Sequence, residues 1–359
     1  MTIADPPSPW RLCTAPMLDW SDRHCRYFFR RLAPNARLYT EMVTTGPLVH
    51  GDTQTIHEHL AFHPEEHPVA LQLGGSDPGE LAHAARLALD CGYDEINLNC
   101  GCPSERVQKG AFGACLMAEP ALVACGVRAM RDAVGDCIPI TVKHRIGLDY
   151  CEDYGFVRDF VGTVAEAGCD VFIVHARNAV LRGLSPKENR DIPPLRYDVV
   201  ARLVADFPRL TFVLNGGVVS AEAAAAALAA TGAQGVMLGR AAYHDSYRLA
   251  EAQAMLFSRS APSREAVVAA MVDYARRESE ASRGARRPVR LRDVARHMLG
   301  LYAGLPGGKV WRRMLSDPRL LSANDPELLL RAMPRSRFGP VEMALDHDHR
   351  QPLLTSLSG

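Results

Sequence analysis

Two thiols, Cys100 and Cys102, flank a single glycine in the stretch INLNCGCPSERVQKGAFGACLM, Ile96–Met117. Three chemistries suit such a pair: metal ligation, a disulfide, or acid catalysis by one member. The chain has ten cysteines, but none shows the CxxC spacing usual in structural zinc sites. Disulfide frameworks belong to short secreted chains, and this one has 359 residues. Most of the ten are expected to be small buried core residues. The metal and disulfide readings are therefore weak, and a catalytic role for one of the pair depends on what surrounds it. The histidines of IHEHLAFHPEEH (Ile56–His67) lack the HExxH order of a metal site. Pro64 and Pro68 argue there for a surface loop instead of a helix.

Other candidates fall at the ends of apolar runs: Gln72, Asn99, Lys143, His175, Asn215-Gly216-Gly217 and Gly239-Arg240. One such residue is weak evidence, because buried and satisfied polar groups are common. As a set they suit a flat heterocycle carrying a phosphate. The glycines let phosphate approach backbone N–H groups, Lys143 adds a positive charge, and Gln72, Asn99 and His175 can hydrogen-bond a ring edge. Flavin mononucleotide (FMN) would use them all; a sugar phosphate would use the glycines and the lysine equally well. Arg145 and Arg177 can hold a phosphate or stabilise negative charge on a carbonyl oxygen. Their bland alternative is an ion pair with Glu41 or Asp149.

The elements that must position these residues alternate regularly. Strand-like runs are RLCTAPM, LYTEMV, VALQLGG, EINLNCG, ITVKHRI, VFIVHA, TFVLNGG and GVMLGRA. Between several of them lie helical stretches such as PGELAHAARLALDCG and SAEAAAAALAATG, each closed by glycine. Alternation of this kind implies βαβ units. Eight such units fit the roughly 250 residues typical of a (β/α)8 TIM barrel, whose chemistry sits at the C-terminal strand ends. A doubly wound sheet is the alternative.

The barrel domain is expected to span residues 1–257, with a C-terminal all-helical domain over 258–337 and a disordered tail over 338–359. Net charge is zero, but residues 259–337 carry seventeen Lys/Arg against eight Asp/Glu. Such an excess suits contact with a polyanion, or else a solvated Arg-rich surface. The chain shows no N-terminal signal pattern and no membrane-length apolar run, so a cytoplasmic protein is expected.

The sequence resembles the tRNA-dihydrouridine synthases, most closely their bacterial A subfamily, over roughly residues 10 to 320. The likeness is carried by APMLDWSDRHCRYFFRRLAPNARLYTEMV, QLGG, NLNCGCPSERVQKGAFGACLM, VKHRIG, HARNAVLRGLSPKENRDIPPL, NGG, GR and RHMLGLYAGLPGGKVWRR. This resemblance implies reduction of uridines 20 and 20a in the tRNA D-loop, with FMN as cofactor and NADPH as reductant. It implies FMN contacts from Pro16, Met17, Leu18, Gln72, Lys143, His175, Asn215, Gly216, Gly217, Gly239 and Arg240. It also implies that the cysteine of GCP, Cys102, is the general acid, and that Asn99, Lys187, Arg190 and Arg296 contact tRNA. Two positions depart from the pattern: Cys100 replaces an aliphatic residue, and Lys309 replaces an arginine before WRR.

Reducing the C5–C6 bond of uracil takes a hydride at C6 and a proton at C5. The hydride belongs to the cofactor and the proton to the protein. A thiol with the ordinary pKa near 8.5 remains protonated at neutral pH. Cys102 follows Gly101 where strand turns to loop, and Pro103 fixes the backbone. Cys100 is still on the strand, and Cys115 lies in a helix-forming run, so Cys102 is expected to be the acid. Two other functions compete with this one. A flavin barrel acting on a small pyrimidine or enone would need no basic helical appendage. A catalytically dead tRNA-binding module would not need Cys102, Lys143 and His175.

Overall fold

The computed structural model describes residues 7–104, 110–151 and 153–334; the expected tail, 338–359, lies outside them. Eight strands form where the apolar runs predict. They are β1 (Leu12–Thr14), β2 (Leu38–Thr44), β3 (Val69–Gly74), β4 (Glu95–Cys100), β5 (Ile140–Arg145), β6 (Val171–His175), β7 (Thr211–Asn215) and β8 (Gly235–Leu238). All ladders are parallel, in the order β1-β8-β7-β6-β5-β4-β3-β2. A Cys13–Arg37 bridge closes the ring between β1 and β2, through Thr14 N–H to Arg37 O at 3.0 Å and Arg37 N–H to Leu12 O at 2.9 Å. The molecule is a (β/α)8 barrel, not a doubly wound sheet.

Period-two alternation sends each strand's residues to two different cores. Cys13, Ala15, Tyr39, Ala70, Val171, Ile173, Val213 and Met237 pack inside the ring. The other face of the strands packs against the helices in one large apolar layer. Helix ends follow their local chemistry. In the helix Ala221–Thr231, Ser220 caps the N-terminus by accepting from Ala223 N–H, and Gly232 ends the helix in the left-handed conformation.

Residues 56–67 correct the sequence reading. A helix, Thr53–Leu60, starts on Asp52 as N-cap and ends before Pro64 can interrupt it. Pro64 instead opens a 3₁₀ turn, Pro64–Glu66, where a missing N–H costs nothing. His63 accepts from Glu65 N–H in that turn, and His67 pairs with Asp94 at 2.7 Å.

The C-terminal region is helical, beginning with Arg264–Ala281, Leu291–Met298 and Gly308–Met314. Its Trp311 is fully buried, edge-on to Tyr302, and donates to Met298 O at 2.9 Å. These helices seat on the first barrel helix, Arg23–Leu32. Tyr27 stacks on Tyr274 at 3.9 Å, His24 bonds the Tyr274 hydroxyl at 2.7 Å, and Arg23 pairs with Glu278 at 2.7 Å. Apolar packing continues across this seam into the outer layer of the barrel.

Candidate active site at the barrel mouth

The wall of the site begins on β4, where Glu95, Asn97 and Asn99 alternate inward. Asn99 Oδ1 accepts the N–H groups of both Gly101 and Cys102 at 3.0 Å. This Asx-type contact turns the chain out of the strand. Cys102 is half-buried, with its sulfur 3.6 Å from the Ser104 hydroxyl. Cys100 instead pairs in register with His144 and points into the helix layer, fully buried, where burial drives its thiol upward. Cys115 lies in a 3₁₀ turn and donates to Phe112 O at 3.1 Å.

β5 adds positive charge, and β6 ends in a histidine. Lys143 retains some exposure, yet burial of its ammonium end and the nearby Arg145 pull it down to about 7. Its charge is thus conditional where the sequence suggested a fixed one. His175 is pushed well below its usual range by burial, then by Arg145 and Lys143. Its imidazole is therefore held in the neutral form at neutral pH. Cys102 and Arg190 lie close enough to perturb Lys143 and Arg145, so the four residues are electrostatic neighbours.

Neither arginine forms the ion pair offered as its bland alternative. Arg145 is buried and lowered to about 9, by burial first, while the Cys102 sulfur acts in the opposite direction. It donates to Gly101 O at 3.1 Å, Asn178 O at 3.2 Å and Asn189 O at 3.0 Å. One guanidinium thereby ties the cysteine loop to two points of the long connection after β6. Arg177 donates to the Asp191 and Pro193 carbonyls. Asp191 itself grips Arg240 at 2.6 and 3.1 Å. Sequence reading missed this pair, whose only signal was one acid among several mouth arginines.

Gly216 and Gly217 both take positive φ, +102° and +73°. A Cβ on Gly216 would stand 2.7 Å from His175 Cδ2, and one on Gly217 would stand 2.5 Å from Leu195 Cδ1. The amides of Gly216, Gly217, Gly239 and Arg240 donate to no protein group among the described residues. Asn215 is held by Met237 O at 2.9 Å. Free amides beside conditional cations fit a phosphate-bearing ligand. Of the remaining candidates, Pro16 and Met17 are half-buried and Leu18 is 65% exposed. Lys187 and Arg190 are exposed. Arg296 donates to Asp19 O and to the Asp22 carboxylate, at the seam with the helical region.

Gln72 and Asn99 are bonded to one another, Asn99 Nδ2 donating to Gln72 Oε1 at 2.8 Å. The polar row beneath them was also missed, although E-x-N-x-N at period two marks a single strand face.

The model of the family "Dihydrouridine synthase (Dus)" matches residues 13–335. A Pseudomonas syringae pv. tomato protein named tRNA-dihydrouridine(20/20a) synthase is 55% identical over 322 residues, 89% of this chain and 92% of that protein. A Salmonella typhimurium protein of the same name is 52% identical over 327 residues, covering 90% and 94%. One from Shewanella oneidensis is 53% identical over 305 residues, covering 84% and 87%. With this match over nearly its whole length, and with a polar cysteine site at the C-terminal rim of a parallel barrel, the chain belongs to the dihydrouridine synthase family.

Proposed function

We propose that this chain is a tRNA-dihydrouridine(20/20a) synthase that reduces D-loop uridines to 5,6-dihydrouridine, using FMN and taking its electrons from NADPH. One observation carries the reading: half-buried Cys102 shares the mouth with Lys143, Arg145 and Arg190, while its neighbour Cys100 is sealed away. The residues present fit FMN. Gly216, Gly217, Gly239 and Arg240 would seat its phosphate on their amides, and Lys143, His175, Gln72 and Asn215 would line its ring system. Pro16, Met17 and Leu18 would cover it from β1. When bound, FMN supplies the hydride that uracil C6 receives.

The chain's own part is binding, orientation and a proton. Cys102 Sγ gives its proton to C5, leaving a thiolate that Lys143 and Arg145 stabilise, and solvent then restores the proton. His175, neutral, positions without adding charge. Arg177 and Arg145 would face developing negative charge on a uracil carbonyl. In this reading residues 1–257 do the chemistry, and the basic region, 258–337, grips tRNA. Lys187, Arg190, Asn99 and Arg296 would contact the RNA near the mouth. Extracting a base from a structured loop costs a few kcal/mol, which phosphate contacts from the basic region offset.

The test uses purified protein, bulk tRNA from a strain lacking the gene, and NADPH. A yellow protein that restores dihydrouridine at positions 20 and 20a supports the proposal. A colourless protein, or dihydrouridine formed elsewhere, sinks it.

A further inference from the structure

Beneath the mouth, five side chains form one unbroken hydrogen-bond chain. Asn99 Nδ2 donates to Gln72 Oε1 at 2.8 Å, and Gln72 Nε2 donates to Asn97 Oδ1 at 2.7 Å. Asn97 Nδ2 then donates to Thr141 Oγ1 at 2.7 Å, and Thr141 donates to Glu95 Oε1 at 2.5 Å. Glu95 is fully buried and accepts from two more donors, the Tyr39 hydroxyl and the Trp10 indole, both at 2.7 Å. It is also ion-paired with the Arg37 guanidinium at 3.3 Å.

The direction of this chain is fixed from both ends. A carboxylate facing three donors and a guanidinium can only accept. Thr141 must therefore spend its proton on Glu95 and can only accept from Asn97. That sets Asn97 with its oxygen toward Gln72, and Gln72 with its oxygen toward Asn99. At the upper end Asn99 must present oxygen, because two backbone N–H groups face it. Flipping any amide would set donor against donor in a buried place, which costs more than the lost bond alone. Donor hydrogens point down the chain at every step, and the second amide hydrogens of Gln72 and Asn99 are left for a ligand's acceptor atoms.

We propose that Glu95 and Thr141 are positioning residues for Cys102: the buried carboxylate orders the amides of Asn97, Gln72 and Asn99, and Asn99 holds the Gly101–Cys102 turn. This rests on the reading of Cys102 as the proton donor.

The experiment removes the link at Thr141 and reads Cys102 directly. In the protein without added tRNA, peptide-resolved mass spectrometry measures how fast iodoacetamide alkylates Cys102. Thr141→Val, close in shape, breaks the chain and leaves Asn97 Nδ2 without its acceptor. It should speed Cys102 alkylation roughly fivefold, the factor expected for one lost hydrogen bond. It should also lower kcat by up to about a hundredfold through misplacement of the thiol, a larger effect than any change in KM for tRNA. Thr141→Ser keeps the hydroxyl and should restore both. Asn97→Ala breaks the chain one step higher and should act like Thr141→Val, which covers the case of a valine variant that does not fold. A folded Thr141→Val or Asn97→Ala protein with wild-type alkylation and kcat, even at a lowered Tm, overturns the proposal. Failure of the acid reading looks different: Cys102→Ala would then keep its turnover, while the alkylation result would stand.

Discussion

The floor and the mouth of this barrel handle buried charge in opposite ways. At the floor one carboxylate, Glu95, is matched by the guanidinium of Arg37 and three neutral donors. At the mouth Lys143, Arg145, Arg177, Arg190 and Arg240 crowd together, with Asp191 spent on Arg240. At the floor the Glu95 carboxylate is matched from within the protein. The mouth lowers its own cations, Lys143 to about 7 and Arg145 to about 9, and is left attractive to anions. Self-pairing belongs to scaffold, and surplus charge of one sign belongs to a place where a ligand completes the set.

The sharpest way to break this contrast is to delete the thiol. Cys102→Ala should lower single-turnover reduction of tRNA by about 10²–10⁴-fold, the usual weight of a positioned acid. Cofactor and tRNA affinity should persist in that variant. Cys100→Ala, altering only the helix layer, should leave turnover near wild type. Loss in Cys100→Ala with retention in Cys102→Ala would reverse the assignment.

At the floor the expected damage is to stability. Glu95→Leu leaves Arg37 buried without its partner, and breaking one side of a buried pair costs about 3–5 kcal/mol. Thermal or urea unfolding should show that loss. Lys143→Met at the mouth should cost the ligand-free protein little or stabilise it, since it removes a poorly solvated cation from beside Arg145. Equal losses at both ends would erase the distinction drawn between them.

Gly216→Ala tests the mouth's geometry in place of its charge. Its φ of +102° disfavours any Cβ, and the new methyl would press on the His175 ring. A stability loss of about 1–3 kcal/mol is expected, together with weaker retention of the yellow cofactor through a gel-filtration column. A variant that holds cofactor as well as wild type would separate this turn from the phosphate seat.

How far these regions could be read beforehand follows from what each uses as a partner. The strands were legible because apolar runs between turn-forming residues have one good fate in a parallel barrel. Cys102 was separable from Cys100 because two residues along a strand end is the difference between wall and loop. Arg145 was harder to read: its partners are the carbonyls of Gly101, Asn178 and Asn189, and carbonyls leave no trace in a sequence. The Asp191–Arg240 pair spans 49 positions and depends on two loops converging. The helix Thr53–Leu60 was lost because two prolines outweighed Asp52 as a start signal, although both lie beyond the helix end. The floor network was visible as a polar row on β4, but only the ring's closure shows that Tyr39, Trp10 and Arg37 meet it.

The mildest test keeps the protein intact and changes only pH. In the ligand-free protein Lys143 sits near 7, against an ordinary 10.5, because burial and Arg145 oppose its charge. An anionic ligand at the mouth favours the charged form, so its binding raises that value and takes up a proton. FMN affinity should therefore be flat with respect to this group below about pH 7. Above that it should fall, by at most about tenfold per pH unit, until the value in the complex is reached. The stability of the ligand-free protein should respond with the opposite sign. Between about 7 and 10.5 the unfolded chain holds the Lys143 proton more tightly than the folded one, so this group's contribution rises with pH. Lys143→Met should flatten both trends. Flavin fluorescence titrations and urea unfolding across that range read the two slopes separately. If affinity above pH 7 proved as steep in Lys143→Met as in the wild type, the conditional charge would have to be assigned to another mouth cation.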